Sequence, residues 1–124
     1  MNFSALLFVS LFVYAQCYPH EEAIDACEQK SGVTKEILQG LKAGKYDNPK
    51  LAAYLLCAHK VIGFQNEAGE LQADKIKDHL KKTSHTQEQI ERLEQLCLHN
   101  KETPEKTAAE FTKCSNICLH GNAN

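Results

Sequence analysis

Apolar residues recur at helical spacing along almost the whole chain, and no stretch alternates with the period of a strand. Pro19–Lys30 reads as a first helix. Pro19 suits its first position, Glu21 and Glu22 suit the positive end of its dipole, and Gly32 suits a left-handed stop. Thr34 caps a second helix that places Ile37, Leu38 and Leu41 on one face and ends near Gly44. Asn48-Pro49 opens a third, with Leu51, Tyr54, Leu55, Ala58, Val61 and Ile62 facing inward and Gly63 as its stop. Phe64–Leu71 is expected to be a loop turning at Ala68-Gly69.

The fourth helix, Gln72–Lys82, should carry Ile76, His79 and Leu80 inward and end on Lys81 and Lys82. Thr86 and Gln89 form a capping box for a fifth that buries Ile90, Leu93, Leu96 and Cys97 and pairs Glu88 with Arg92. Thr103-Pro104 starts the sixth, with Ala108, Phe111, Cys114 and Cys118 along one stripe. Short connections between six amphipathic helices predict a compact all-α domain.

The chain begins differently. Ala5–Val13 is an apolar run too short to cross a bilayer, and Val13-Tyr-Ala15 offers small residues for a peptidase. Residues 1–15 therefore read as a signal peptide, although no Lys or Arg precedes the run. A cut after Ala15 leaves 16–124, about 109 residues, the size of a single domain. A cut after Cys17 also fits, with Ala15 then three residues before the break. The expected location is secreted and extracellular.

The net charge is −2, from 14 Lys and Arg against 16 Asp and Glu, with no basic block. That argues against nucleic acid and against stable membrane association. Export makes disulfides the default fate of thiols. Cys97-x-His99 and Cys118-x-His120 lack the paired spacing of structural zinc sites, so no metal is expected. Cys27, Cys57, Cys97 and Cys114 permit three pairings, which the spacing leaves open; each bridge is worth about 3 kcal/mol. Cys17 and Cys118 would link the two ends after the first cut, and Cys118 would stand alone after the second.

No catalytic signature emerges, and the chain reads as no enzyme. His79 with Asp74 or Asp78 is the nearest thing to an acid–base pair, at the spacing of a solvated helix face. There is no nucleophile elbow and no glycine-rich phosphate loop. No cofactor is implied.

Two segments carry a family likeness. Cys57-Ala-His-Lys-Val-Ile-Gly-Phe-Gln-Asn-Glu-Ala-Gly-Glu-Leu71 resembles the third-cysteine segment of insect odorant-binding proteins, with its Gly-Glu-apolar turn. Pro104-Glu-Lys-Thr-Ala-Ala-Glu-Phe-Thr-Lys-Cys114 is similar to that family's last helix and its Phe-x-x-Cys ending. The likeness runs from about Glu22 to Cys114. Where the family's usual second and fifth cysteines would stand, this chain has Ala53 and Glu105, so it resembles the minus-C subset, similar to beetle hemolymph carriers. By resemblance, Cys27 pairs with Cys57 and Cys97 with Cys114. The sixth helix, lacking the family's third bridge, would be held by Cys97–Cys114 and by packing of Ala108 and Phe111, and would be the first to open.

The resemblance implies a closed apolar cavity among the helices. Its lining would come from Tyr54, Leu55, Ala58 and Val61 on the third helix, with Ile76 and Leu80 on the fourth. Ile90 and Leu93 on the fifth and Ala108 and Phe111 on the sixth would complete it. The implied function is a secreted carrier of one small hydrophobic ligand, an odorant, pheromone or lipid-like molecule. Its fluid would be sensillar lymph, hemolymph or a glandular secretion. The implied partners are that ligand and a chemosensory receptor, with the chain a monomer or weak dimer. His59 and His79, on helices around the expected cavity, would weaken binding of a neutral ligand on protonation. The alternative is a secreted, disulfide-stapled interaction protein whose core is simply filled.

Overall fold

The structure is a computed structural model and describes residues 21–120. The expected leader, its cleavage site, Cys17 and the Pro19 helix start lie outside the described residues. Helices follow one another as α1 (Glu21–Ser31), α2 (Lys35–Lys42), α3 (Pro49–Ile62), α4 (Ala73–Lys82), α5 (Gln87–Cys97) and α6 (Pro104–His120). Among the described residues, the only extended pairing is an isolated antiparallel bridge between Gln65 and Leu71.

Local chemistry sets most of the boundaries. Thr34 Oγ1 accepts the Ile37 amide at 3.2 Å, and Asn48 Oδ1 accepts the Lys50 amide at 2.8 Å ahead of Pro49. Thr86 and Gln89 complete a reciprocal capping box, at 3.1 Å and 2.9 Å. Gly63 adopts a left-handed φ of 88°, and the amides of Phe64 and Gln65 both fold back on the His59 carbonyl. α2 stops at Lys42 rather than near Gly44, because the Ala43 and Lys45 amides both close onto the Gly40 carbonyl. α4 begins at Ala73: the Gln72 side chain donates to the Glu70 carbonyl at 3.1 Å instead of capping the helix.

The core falls into two clusters. Ile76, Leu80, Ile90, Leu93, Cys97 and Phe111 meet where α4, α5 and α6 converge. Leu51, Leu55 and Ala108 form the other, joined by Ile37, Leu38, Leu41 and Tyr54 from α2 and α3. α3 is central and packs against both α1 and α6, α6 also packs on α5, and α4 meets α5 less extensively. Cys27–Cys57 staples α1 to α3 with a Cα separation of 5.6 Å, and Cys97–Cys114 staples α5 to α6 at 5.5 Å. These are the pairings the resemblance implied. Cys118, half-buried beside the first cluster, carries no disulfide among the described residues.

Two inward assignments do not hold. Leu96 is 60% exposed, because Ile90, Leu93 and Cys97 form the buried stripe of α5 and position 96 lies well round the helix from it. His79 is exposed for the same reason relative to Ile76 and Leu80. The sixth helix also has more fastenings than its one staple. Gln65 Nε2 donates to the Pro104 carbonyl at 3.2 Å, Thr107 Oγ1 accepts the Lys101 amide at 2.7 Å, and Asn116 Nδ2 donates to the Tyr46 hydroxyl at 2.8 Å. No helix among the described residues is long and apolar enough to cross a membrane.

Candidate binding cleft

The segment between α3 and α4 sets one wall. Gly69 turns it with a φ of 86°, and a Cβ there would overlap the Pro104 ring. Glycine is thus required twice at the Gly-Glu-Leu turn, once by the backbone and once by the close approach of α6. Gln65 locks the turn from inside. Its side chain is buried, meets His59 Nδ1 through Oε1 at 2.8 Å, and donates to the Gly69 carbonyl at 2.7 Å. Leu71 donates its amide to Asn100 Oδ1 at 2.9 Å, tying the far end of the loop to the α5–α6 connection. So fixed, the loop delivers Phe64 edge-on to Phe111, with ring centroids 6.2 Å apart.

Between that wall and α4, α5 and α6 lies a cleft of about 270 Å³. Its floor is apolar and buried: Ile76 and Leu80 from α4, Leu93 from α5, Phe111 from α6. Ser115 and Leu119 continue the Phe111 row along α6, while His79, Thr83, His85 and His120 stand at the mouth. The cleft opens to solvent on one side and is not a closed cavity among the described residues.

His59 is buried and does not line the cleft. Its ring meets Phe111 edge-on at 5.6 Å, and burial holds its pKa below the ordinary histidine value, partly opposed by the Gln65 hydrogen bond. His79 instead packs edge-on against Phe64, with centroids 5.3 Å apart. Asp78 pairs with Lys82 at 3.0 Å rather than with His79. The Cys97 thiol is taken by its disulfide, and His99 Nε2 meets the Gln95 carbonyl at 2.7 Å.

Of the ten residues expected around a cavity, the cleft gathers four: Ile76, Leu80, Leu93 and Phe111. Leu55, Ala108 and Tyr54 belong to the second cluster. Tyr54 is half-buried near Glu28 and Asp25, and burial first, then those carboxylates, raises its hydroxyl pKa. Ile90 is buried within the first cluster, and Ala58 and Val61 are half-buried on α3. The sequence reading misses Phe64, Thr83, His85, Ser115, Leu119 and His120. Ser115 and Leu119 follow Phe111 at four-residue steps, a signal that was present; Phe64 stood out only as an apolar residue just past the Gly63 stop.

Residues 13–116 match the PBP/GOBP family. The B1 protein of Tenebrio molitor is 36% identical over 89 residues, covering 71% of this chain and 68% of its own length. The B2 protein of the same beetle is 35% identical over 89 residues, covering 71% and 70%. No solved structure gave a significant match. With the family match spanning most of the chain, and the stapled helices and glycine turn in the segments that carry the likeness, the chain belongs to the PBP/GOBP family.

Proposed function

We propose that residues 16–124 form a secreted carrier that binds one small hydrophobic molecule in the cleft floored by Ile76, Leu80, Leu93 and Phe111. The observation that carries this is the cleft itself, an apolar floor beneath an open mouth on a stapled helical frame. Membership of a family of small-ligand carriers supports it, and two disulfides suit an oxidising extracellular fluid. In this reading Tyr54, Leu55, Ala58, Val61, Ile90 and Ala108 pack the frame and do not touch ligand. Whether the fluid is sensillar lymph, hemolymph or a gland secretion decides whether a chemosensory receptor is a partner.

One observation favours the filled-core alternative: Leu55 and Ala108, expected beside ligand, sit in a closely packed cluster of their own. A fluorescent apolar probe separates the two. A carrier binds it at about one per chain and loses it about tenfold on Ser115→Phe, which fills the cleft without emptying the core. A folded chain that does not bind the probe is the filled-core protein.

A further inference from the structure

The rim of the cleft differs chemically from its floor. No Asp, Glu, Lys or Arg lines it, and its titratable groups are three imidazoles, His79, His85 and His120, with the Thr83 hydroxyl beside His85. The surrounding charges are engaged or placed elsewhere. On α4, Lys77 pairs with Glu94 at 3.0 Å and Lys82 with Asp78 at 3.0 Å. On α5, Glu88, Glu91 and Arg92 line a separate surface, and on α6 Glu110 faces the groove beside Leu96. Asp74, Lys75, Lys81 and Lys113 share these helices without lining the cleft. From α3, His59 packs on Phe111 with ring centroids 5.6 Å apart and does not line the cleft.

His85 has one nitrogen committed. Its Nδ1 lies 3.3 Å from the Leu80 carbonyl and 3.0 Å from Thr83 Oγ1, which itself donates to the His79 carbonyl at 3.0 Å. The tautomer with its hydrogen on Nδ1 satisfies the Leu80 carbonyl. The neutral ring then leaves Nε2 as a lone pair, and a second proton turns Nε2 into a charged donor. A rim of imidazoles with no carboxylate among them offers no counter-charge to a cationic head and, as imidazolium, donates to an anionic one.

We propose that the cleft selects an amphiphile of about ten non-hydrogen atoms, the number a space of this size holds, whose polar end is a carboxylate lodged at the histidine rim. The apolar tail lies on Ile76, Leu93 and Phe111. This rests on the carrier reading above.

The test compares octanoate, octan-1-ol and octylamine, which share one tail, by displacement of a neutral apolar probe. At about pH 6 octanoate should bind about tenfold tighter than octylamine, the worth of one charge-assisted hydrogen bond. Its advantage should shrink at about pH 8, and also in the His85→Ala, His120→Ala double variant. Equal affinity for octanoate and octylamine at both pH values, with the alcohol still bound, overturns the head-group selection and leaves the carrier standing. If neither the probe nor any of the three ligands binds folded protein, the carrier reading fails as well.

Discussion

His59 and Gln65, six residues apart on either side of the Gly63 stop, meet at 2.8 Å in the interior. Gln65 spends its other end on two carbonyls, Gly69 at 2.7 Å and Pro104 at 3.2 Å. One side chain thereby joins α3, the loop and the first turn of α6, the same two helices that the family's third disulfide would have joined. Gln65→Leu keeps the volume and removes all three bonds, leaving buried polar atoms without partners. It should lower unfolding free energy by about 2–3 kcal/mol in urea titrations with the disulfides intact. A loss below about 0.5 kcal/mol would show the latch to be ornamental.

The same pair predicts a pH dependence. Burial depresses the His59 pKa in the folded chain, so below the unfolded value of about 6.5 the unfolded state binds the proton first. Stability contributed by neutral His59 is thus complete above that value. It falls as pH drops towards the folded pKa, with a slope of at most about 1.4 kcal/mol per pH unit. His59→Phe removes this titration. Its unfolding free energy should change less between about pH 7.5 and 5.5 than that of the parent chain. Parallel curves for the two proteins would assign the acid sensitivity to other groups.

Gly69 and Gly44 are matched in backbone and differ in surroundings. Both have positive φ, 86° and 77°, but only at Gly69 would a Cβ collide with Pro104; at Gly44 it meets nothing within 4 Å. Gly44→Ala should therefore lose about 1 kcal/mol, the left-handed backbone cost alone. Gly69→Ala adds overpacking against a proline ring and should lose about 2–4 kcal/mol. Thermal unfolding of the two variants side by side measures the difference, which is the worth of the loop's contact with α6. Equal losses would mean that Pro104 moves aside freely.

What is legible in this sequence follows the range over which each signal acts. Thr34, Asn48-Pro49, Gly63 and the Thr86–Gln89 box each cap or stop a helix through partners a few residues away, and those boundaries read directly. Periodicity finds the buried stripes but is blunt at their edges, which is why it turns His79 and Leu96 inward although both are exposed. The cysteine pairing needed the family likeness, since spacing alone allows three. The cleft is least legible. Ile90 and Leu93 share a stripe on α5, yet only Leu93 reaches open space, because the gap depends on how α4, α5 and α6 splay and on where the loop sets Phe64. Gln65 is equally hidden: its Pro104 partner lies 39 positions away.

The helix that opens for ligand should be α4 rather than α6. α6 is held by the Cys97–Cys114 staple, by Gln65 at its start and by the Asn116–Tyr46 bond of 2.8 Å nearer its end. α4 supplies Ile76, His79 and Leu80 to the cleft but meets only α5 to any extent, through the first cluster and the part-exposed Lys77–Glu94 pair. An ion pair so exposed contributes under about 1 kcal/mol, so packing of Ile76 and Leu80 is most of what holds the helix. Few fastenings mean a low local opening free energy. Native-state hydrogen exchange should show α4 amides exchanging ahead of those in α3 and α6, and bound ligand should slow α4 most. Replacing Ala53 and Glu105 by cysteines to restore a bridge between α3 and α6 should add up to about 3 kcal/mol of stability if the geometry is unstrained, while leaving ligand exchange rates nearly unchanged. Slowed ligand release in that bridged variant would return the gate to α6.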